Sequence, residues 1–143
     1  MELSCKSEYA LLALLELSLH YSKGEPLQIR QIAAQQAIPD RYLEQLLATL
    51  RRAGFVKSQR GAKGGYLLTR EPWKITLLEI VNCIEGFEEP PAAAAEQTTE
   101  SVVVHELWQS VRQAAETVLT THTLQDLVDQ RNAKQQVDLM YYI

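Results

Sequence analysis

Residues 37–69 read AIPDRYLEQLLATLRRAGFVKSQRGAKGGYLLT, and the change of period inside this stretch decides the fold. As far as Ala53, the apolar residues Tyr42, Leu43, Leu46, Leu47 and Leu50 recur at spacings of three and four, the signature of one helix face. Pro39 suits the start of such a helix, where the N–H it lacks would be unpaired anyway. Gly54 suits the position just past its end. Arg41, Glu44, Gln45, Thr49 and Arg52 are left for solvent or a ligand. Beyond Gly54 the helical period stops. Residues 55–60 and 66–69 read as two short strands, joined by Gly61-Ala62-Lys63-Gly64-Gly65 as a glycine-rich hairpin tip.

Working outward, residues 27–36 form a second short helical pattern with Ile29, Ile32 and Ala33 on one face, and Ala37-Ile38-Pro39 is the break between the two. Residues 6–20 are apolar in almost every direction around a helix, which predicts a buried helix that Lys23-Gly24-Glu25-Pro26 ends. Trp73 and Ile75 are expected to pack beneath the hairpin. Thr76-Leu77-Leu78-Glu79 is a capping box, predicting a helix to about Glu85 with Gly86 closing it. Residues 87–100 hold two prolines and no large aliphatic side chain, so they read as a linker or loop. A long helix follows over 101–121, with Val104, Leu107, Trp108, Val111, Ala115 and Val118 along one side. Thr123 and Asp126 cap a further helix of one to two turns, and 132–143 read as a tail. The expected fold is mainly α with a small β-hairpin. It comprises a winged helix–turn–helix domain (1–86), a linker (87–100), a dimerisation helix with a short helix after it (101–131), and the tail.

Composition excludes several classes. At 46% hydrophobic and 22% charged residues the chain matches ordinary globular proteins rather than disordered or collagen-like ones. It has no 18-residue apolar run and hence no transmembrane helix. Its first residues do not form a cationic leader before an apolar stretch. The two cysteines, Cys5 and Cys83, form no CxxC pair and no zinc framework. A cytoplasmic, reduced protein is the expectation.

The net charge of −4 argues against a polyanionic partner until its distribution is read. Residues 1–74 carry +4 and residues 75–143 carry −8. Residues 51–74 hold Arg51, Arg52, Lys57, Arg60, Lys63, Arg70 and Lys74 against Glu71 alone. That asymmetry suggests one face for a polyanion and another part with a different task. The second helix of a helix–turn–helix pair is sized for the major groove of double-stranded DNA. Arg41 suits guanine or a phosphate, Glu44 suits cytosine N4, Gln45 suits adenine, and Tyr42 adds a hydroxyl or apolar contact. Arg60 and Lys63 on the hairpin suit a minor groove or its flanking phosphates. Gln28 opens the first helix, where backbone amides meet a phosphate. The apolar stripe of 101–121 is too large for so small a domain to hide, and a symmetric homodimer covers it most simply.

Tyr42-Leu43-Glu44-Gln45-Leu46, followed by Arg60-Gly61-Ala62-Lys63-Gly64-Gly65-Tyr66-Leu67-Leu68, resembles the IscR/CymR/NsrR-type winged-helix transcriptional regulators of the Rrf-two superfamily. Ser7-Glu8-Tyr9-Ala10, His105-Glu106-Leu107-Trp108 and Thr123-Leu124-Gln125-Asp126-Leu127 carry the resemblance over about residues 1–130. The resemblance implies a bacterial, cytoplasmic, homodimeric DNA-binding protein that dimerises through 101–121, with the N-terminal helix crossing to the partner. It implies DNA contacts from Tyr42, Glu44, Gln45 and Arg60, and phosphate contacts from Lys6 and Gln28.

The sequence departs from the family in one respect. Cluster-binding members place three cysteines between the fourth helix and the long helix, the last of them three residues before a histidine. His105 stands at that histidine's place, but Val102 stands at the last cysteine's, and residues 86–104 contain no cysteine. Iron–sulfur clusters need thiolates, and Glu8 with His105 does not replace them. The expectation is no cofactor, with His105 a relic of the ligand position. Cys5, beside Lys6, is a candidate redox thiol, whereas Cys83 reads as an inert core residue. The alternatives are a regulator gated by a protein partner and a 2Fe–2S or thiol redox sensor. An enzyme is not expected, since no nucleophile elbow, HExxH, P-loop or dinucleotide fingerprint occurs.

Overall fold

A computed structural model describes residues 3–86 and 98–141. Six helices and one hairpin follow in the order α1 (Cys5–Leu19), α2 (Ile29–Gln36), α3 (Asp40–Arg52), β1 (Val56–Gln59), β2 (Gly65–Leu68), α4 (Leu77–Glu85), α5 (Thr99–Thr121) and α6 (Leu124–Tyr141). Short 3-10 turns lie at Tyr21–Lys23 and Pro72–Lys74. This is the mainly helical winged-helix arrangement expected from the sequence.

The apolar α1 runs through the centre. Ala10, Ala13, Leu14 and Leu17 are buried, joined by Ile32 of α2, Leu43, Leu47 and Leu50 of α3, Val56 and Leu68 of the hairpin, and Ile80 of α4. α3 is strongly amphipathic: Leu43, Leu46, Leu47 and Leu50 face inward while Arg41, Glu44 and Gln45 are exposed. Of the expected stripe only Tyr42 stays half-buried, its ring edge-on to Tyr9 of α1 at 5.4 Å and 76°.

The strands pair antiparallel, Val56 opposite Leu68 and Gln59 opposite Gly65. The segment entering α2 adds a contact the sequence did not announce. The Leu27 and Tyr66 backbones exchange hydrogen bonds of 3.0 and 2.7 Å, so Leu27 belongs to a β-bridge and α2 starts only at Ile29. This bridge fastens the wing to the helix–turn–helix.

The capping box before α4 forms as read: Thr76 Oγ1 accepts from the Glu79 N–H, and the Thr76 N–H donates to Glu79. Gly86 closes α4 in the left-handed region. Ser4 and Ser7 of the first turn both donate to the Glu85 carboxylate, tying the start of α1 to the end of α4.

Three further expectations differ from the structure. Trp73 is 55% exposed rather than beneath the hairpin, and it stands edge-on to Tyr21 at 6.0 Å. The Pro72–Lys74 turn points it outward, while Ile75 alone enters the core. The long helix begins at Thr99, capped by Thr98, two residues before the predicted start. The rest of the 87–100 linker, residues 87–97, lies outside the described residues. Finally, α6 continues to Tyr141 and takes up most of the predicted tail. Its first turns carry Leu124 and Val128 into contact with α1 and the Pro72–Lys74 turn, and its later turns are exposed. Thr123 and Asp126 cap it reciprocally, as read.

A two-residue antiparallel bridge joins the starts of α4 and α6. The Leu77 N–H donates to the His122 carbonyl at 2.9 Å, and the Leu124 N–H donates to the Ile75 carbonyl at 3.0 Å. The last turn of α5 is thereby tied to the domain. Leu119 packs partly against the core, whereas Val103, Val104, Leu107, Trp108 and Val118 are 56–67% exposed. No residue of α5 is buried.

Candidate nucleic-acid interface

Six of the eight side chains singled out from the sequence for DNA contact line two hollows on the helix–turn–helix. The larger, about 600 Å³, lies between the start of α2, the outer face of α3 and the hairpin tip. Gln28, Glu44 and Arg60 line it together, so residues from three elements and 32 positions of sequence converge on one depression. The smaller, about 140 Å³, brings Lys6 of α1 to Tyr42 and Gln45 of α3. Arg41 and Lys63 are exposed and line neither hollow.

Local structure explains the placement. Gln28 caps α2, and its own N–H is taken by the Gln31 side-chain oxygen at 2.8 Å. A phosphate at this helix start would therefore meet amides beyond Gln28's own, a narrower reading than the sequence allowed. At the wing, a Cβ on Gly64 would lie 2.2 Å from the Gln59 carbonyl oxygen, and one on Gly65 would lie 2.4 Å from that of Leu27. Both neighbours are backbone, so neither can swing aside. Glycine here lets the hairpin fold tightly and press against the strand before α2, which brings Arg60 to the hollow.

Sequence reasoning missed Arg30 and Gln59, which line the larger hollow. The available signal was Arg30's position two residues after Gln28 on the same exposed helix start. What could not be seen was the Leu27–Tyr66 bridge that turns this start toward the wing.

The electrostatics favour an anion over this surface. Among the described residues, no carboxylate stands within ion-pair distance of Arg30, Arg41, Arg51, Arg52, Lys57, Arg60 or Lys63. Arg70 is different, because it clasps both Glu79 carboxylate oxygens at 3.1 Å. It is an internal strut, and its hydrogen bonds hold the Glu79 carboxyl below the usual range. Asp40 and Glu44 also face the larger hollow. The two carboxylates offset Arg30 and Arg60 within the hollow, and a base amino group meeting Glu44 suits discrimination rather than bare attraction.

The remaining candidates lie apart. Cys5 is exposed on the first turn of α1. Cys83 is half-buried against the core, and burial pushes its thiol up, away from the reactive thiolate. His105 is exposed on α5 with Gln109 one turn away at 3.3 Å. An iron–sulfur centre needs several thiolates. The chain has two cysteines, one on the first turn of α1 and one packed against the core, so its donor set does not fit a three-cysteine cluster. Among the described residues, no three His, Cys, Asp or Glu side chains gather as a metal site. No helix described is long and apolar enough to cross a membrane.

Comparison with known proteins finds the same fold and sequence pattern. The family described as "Rrf2: Iron-dependent Transcriptional regulator" matches residues 3–130. The chain is 37% identical over 141 residues to the HTH-type transcriptional regulator CymR of Bacillus subtilis, covering 99% of each. It is 32% identical over 131 residues to the HTH-type transcriptional regulator IscR of Xenorhabdus nematophila, covering 90% of this chain and 79% of that one. Among solved structures, T. potens IscR superposes with a TM-score of 0.80 at 35% identity, over 94% of this chain and 91% of that one. CymR, the global cysteine regulator of B. subtilis, gives 0.79 at 36% identity over 91% and 98%. With the helix–turn–helix pair, the wing and near full-length similarity all in agreement, the chain belongs to the Rrf2 family of transcriptional regulators.

Proposed function

We propose that this regulator is a cytoplasmic homodimer that reads a pseudo-palindromic operator through α3 and the 60–65 wing, without an iron–sulfur cluster of its own. The observation that carries the reading is the hollow where Gln28, Glu44 and Arg60 meet, because it joins helix and wing into one surface. Glu44 and Gln45 present acceptor and amide groups to base edges, and Arg41 takes guanine or a phosphate. Arg60 and Lys63 reach the minor groove or its phosphates, and Lys6 and Gln28 hold the backbone on either side. The exposed apolar side of α5 supports the dimer: Val104, Leu107, Trp108 and Val118 lie in the open there, a stripe that a second copy of the same helix covers by two-fold symmetry. The two-cysteine inventory supports the absence of a cluster.

The experiment is selection of duplexes from sheared genomic DNA, followed by affinity measurement on the enriched sequence. Arg60→Ala and Gln45→Ala are each expected to weaken specific binding by about 1–3 kcal/mol while leaving non-specific binding by Gln45→Ala nearly unchanged. Failure to enrich any sequence over bulk DNA at low salt would sink the proposal.

A further inference from the structure

A larger groove, about 1440 Å³, lies between the end of α1, α2, the two 3-10 turns and the first half of α6, and it meets the wing hollow at Gln28, Arg30 and Asp40. Gln28 of the proposed DNA reading stands on its rim, while Glu16, Tyr21 and Trp73 have no part in that reading. We propose that this groove is a binding site for a small organic ammonium compound, with Glu16 as the counter-ion of its cationic head and the Tyr21–Trp73 pair as its aromatic wall.

The argument begins with Glu16. Its side chain is 9% exposed and lines the groove. A buried carboxylate is costly unless cations or several donors compensate it. Glu16 receives one hydrogen bond, from the neutral amide of Gln36 at 2.6 Å. Its other oxygen lies 3.9 Å from His20, a long contact. Arg30 and Arg131 also line the groove, yet neither lies within ion-pair distance of it among the described residues. The site therefore holds a nearly dehydrated acceptor with coordination to spare, on a wall open to solvent.

The aromatic pair is the second, independent observation. A 55% exposed tryptophan gains nothing for the core, but Trp73 is held in place, edge-on to Tyr21 at 6.0 Å and 88°. Both rings line the same groove, and Tyr21 follows Glu16 and His20 at the end of α1. A carboxylate together with indole and phenol rings is the chemistry that recognises ammonium groups, since ring faces attract a cation and its alkyl substituents bury against them. A sodium ion shares the charge but not the apolar surface. The groove is long enough to hold more than the cationic head, and Gln125 and Asn132 of α6 offer amides to a polar remainder.

Trp73 makes the test direct. In Trp108→Phe it is the sole tryptophan of the chain. The protein is titrated with n-butylammonium and with tetramethylammonium chloride against equal concentrations of sodium chloride, following Trp73 emission. The expected result is a saturable change with either organic cation and none with sodium. Glu16→Gln in the same background is expected to weaken binding at least tenfold with an unchanged circular dichroism spectrum. Tyr21→Leu is expected to weaken it several-fold, and it decides the matter should Glu16→Gln fail to fold. A linear, non-saturating response, or equal affinities in the variants and their parent, overturns the proposal. The measurement involves no DNA, so its outcome is independent of the operator reading.

Discussion

At Gly65 one hydrogen atom is all the fold has room for. A Cβ would lie 2.4 Å from the Leu27 carbonyl oxygen and 2.5 Å from its carbon, both of them backbone. Gly65→Ala must therefore push β2 away from the segment before α2 and strain the Leu27–Tyr66 hydrogen bonds. We expect a loss of about 1–3 kcal/mol, the usual cost of overpacking, measured by urea unfolding. Operator affinity should fall with it, because Arg60 rides on the same hairpin. Glu79 offers a second residue-scale prediction. The Arg70 guanidinium, then the Thr76 backbone, hold its carboxyl below the usual value, with partial burial opposing them. A carboxyl depressed in the folded state contributes stability that is fully present above its unfolded value and is lost as pH falls through its folded one. The protein should thus lose stability through and below the ordinary carboxylate range. Glu79→Gln should be less stable at neutral pH and shallower in that acid decline, as read from urea midpoints across the range. The slope it retains belongs in part to Glu85, held low by the Ser4 and Ser7 hydroxyls, and to Glu71, held low by a backbone hydrogen bond.

At the scale of elements, the turn between α2 and α3 contains the one non-glycine residue with positive φ among the described residues, Ala37 at 53°. An L-residue there costs roughly 1–2 kcal/mol in the left-handed region, part of which glycine returns in unfolded-chain entropy. Ala37→Gly is expected to raise stability by about 0.5–1 kcal/mol, seen as a higher melting temperature with unchanged operator preference. The elements also show what could be read from the sequence alone. Thr76 with Glu79, Thr123 with Asp126, and Gly86 act through contacts within four residues, so the capping rules found them. The stripe of Leu43, Leu46, Leu47 and Leu50 likewise follows from helical spacing. Trp73 was misplaced because hydrophobicity says that a ring gains from burial, but not whether a neighbouring proline turn will allow it. The length of α6 is not legible because a largely polar run over 129–136 follows its buried first turns, and Val137, Leu139, Met140 and Tyr141 beyond that run are exposed, packed against nothing that would mark a helix face. In the site, Glu44, Gln45 and Arg60 were legible from helix phase and hairpin chemistry. Arg30 and Gln59 join them only through the long-range Leu27–Tyr66 bridge, which has no local signature.

For the whole molecule, the decisive question is what covers α5. A helix of 23 residues with no buried side chain does not stand free in water with its valines and tryptophan exposed. Leu107→Asp places a charge in the middle of that stripe. For the proposed homodimer it is expected to shift sedimentation from dimer to monomer and to abolish tight operator binding, while the circular dichroism of the domain is retained. A variant that stays dimeric would place the interface elsewhere.

The paired amide links at Leu77–His122 and Ile75–Leu124 fasten only one end of that helix. At 1.5 Å per residue its 23 residues make an arm about 35 Å long, so a five-degree swing about the fastening carries the far tip about 3 Å. In a pair of chains joined through such arms, the gap between the two reading heads is a matter of angle, gauged at a hinge remote from every base-facing side chain. Substitutions around Thr76 and Thr123 would then retune which operator spacings fit, with the vocabulary of contacts left untouched.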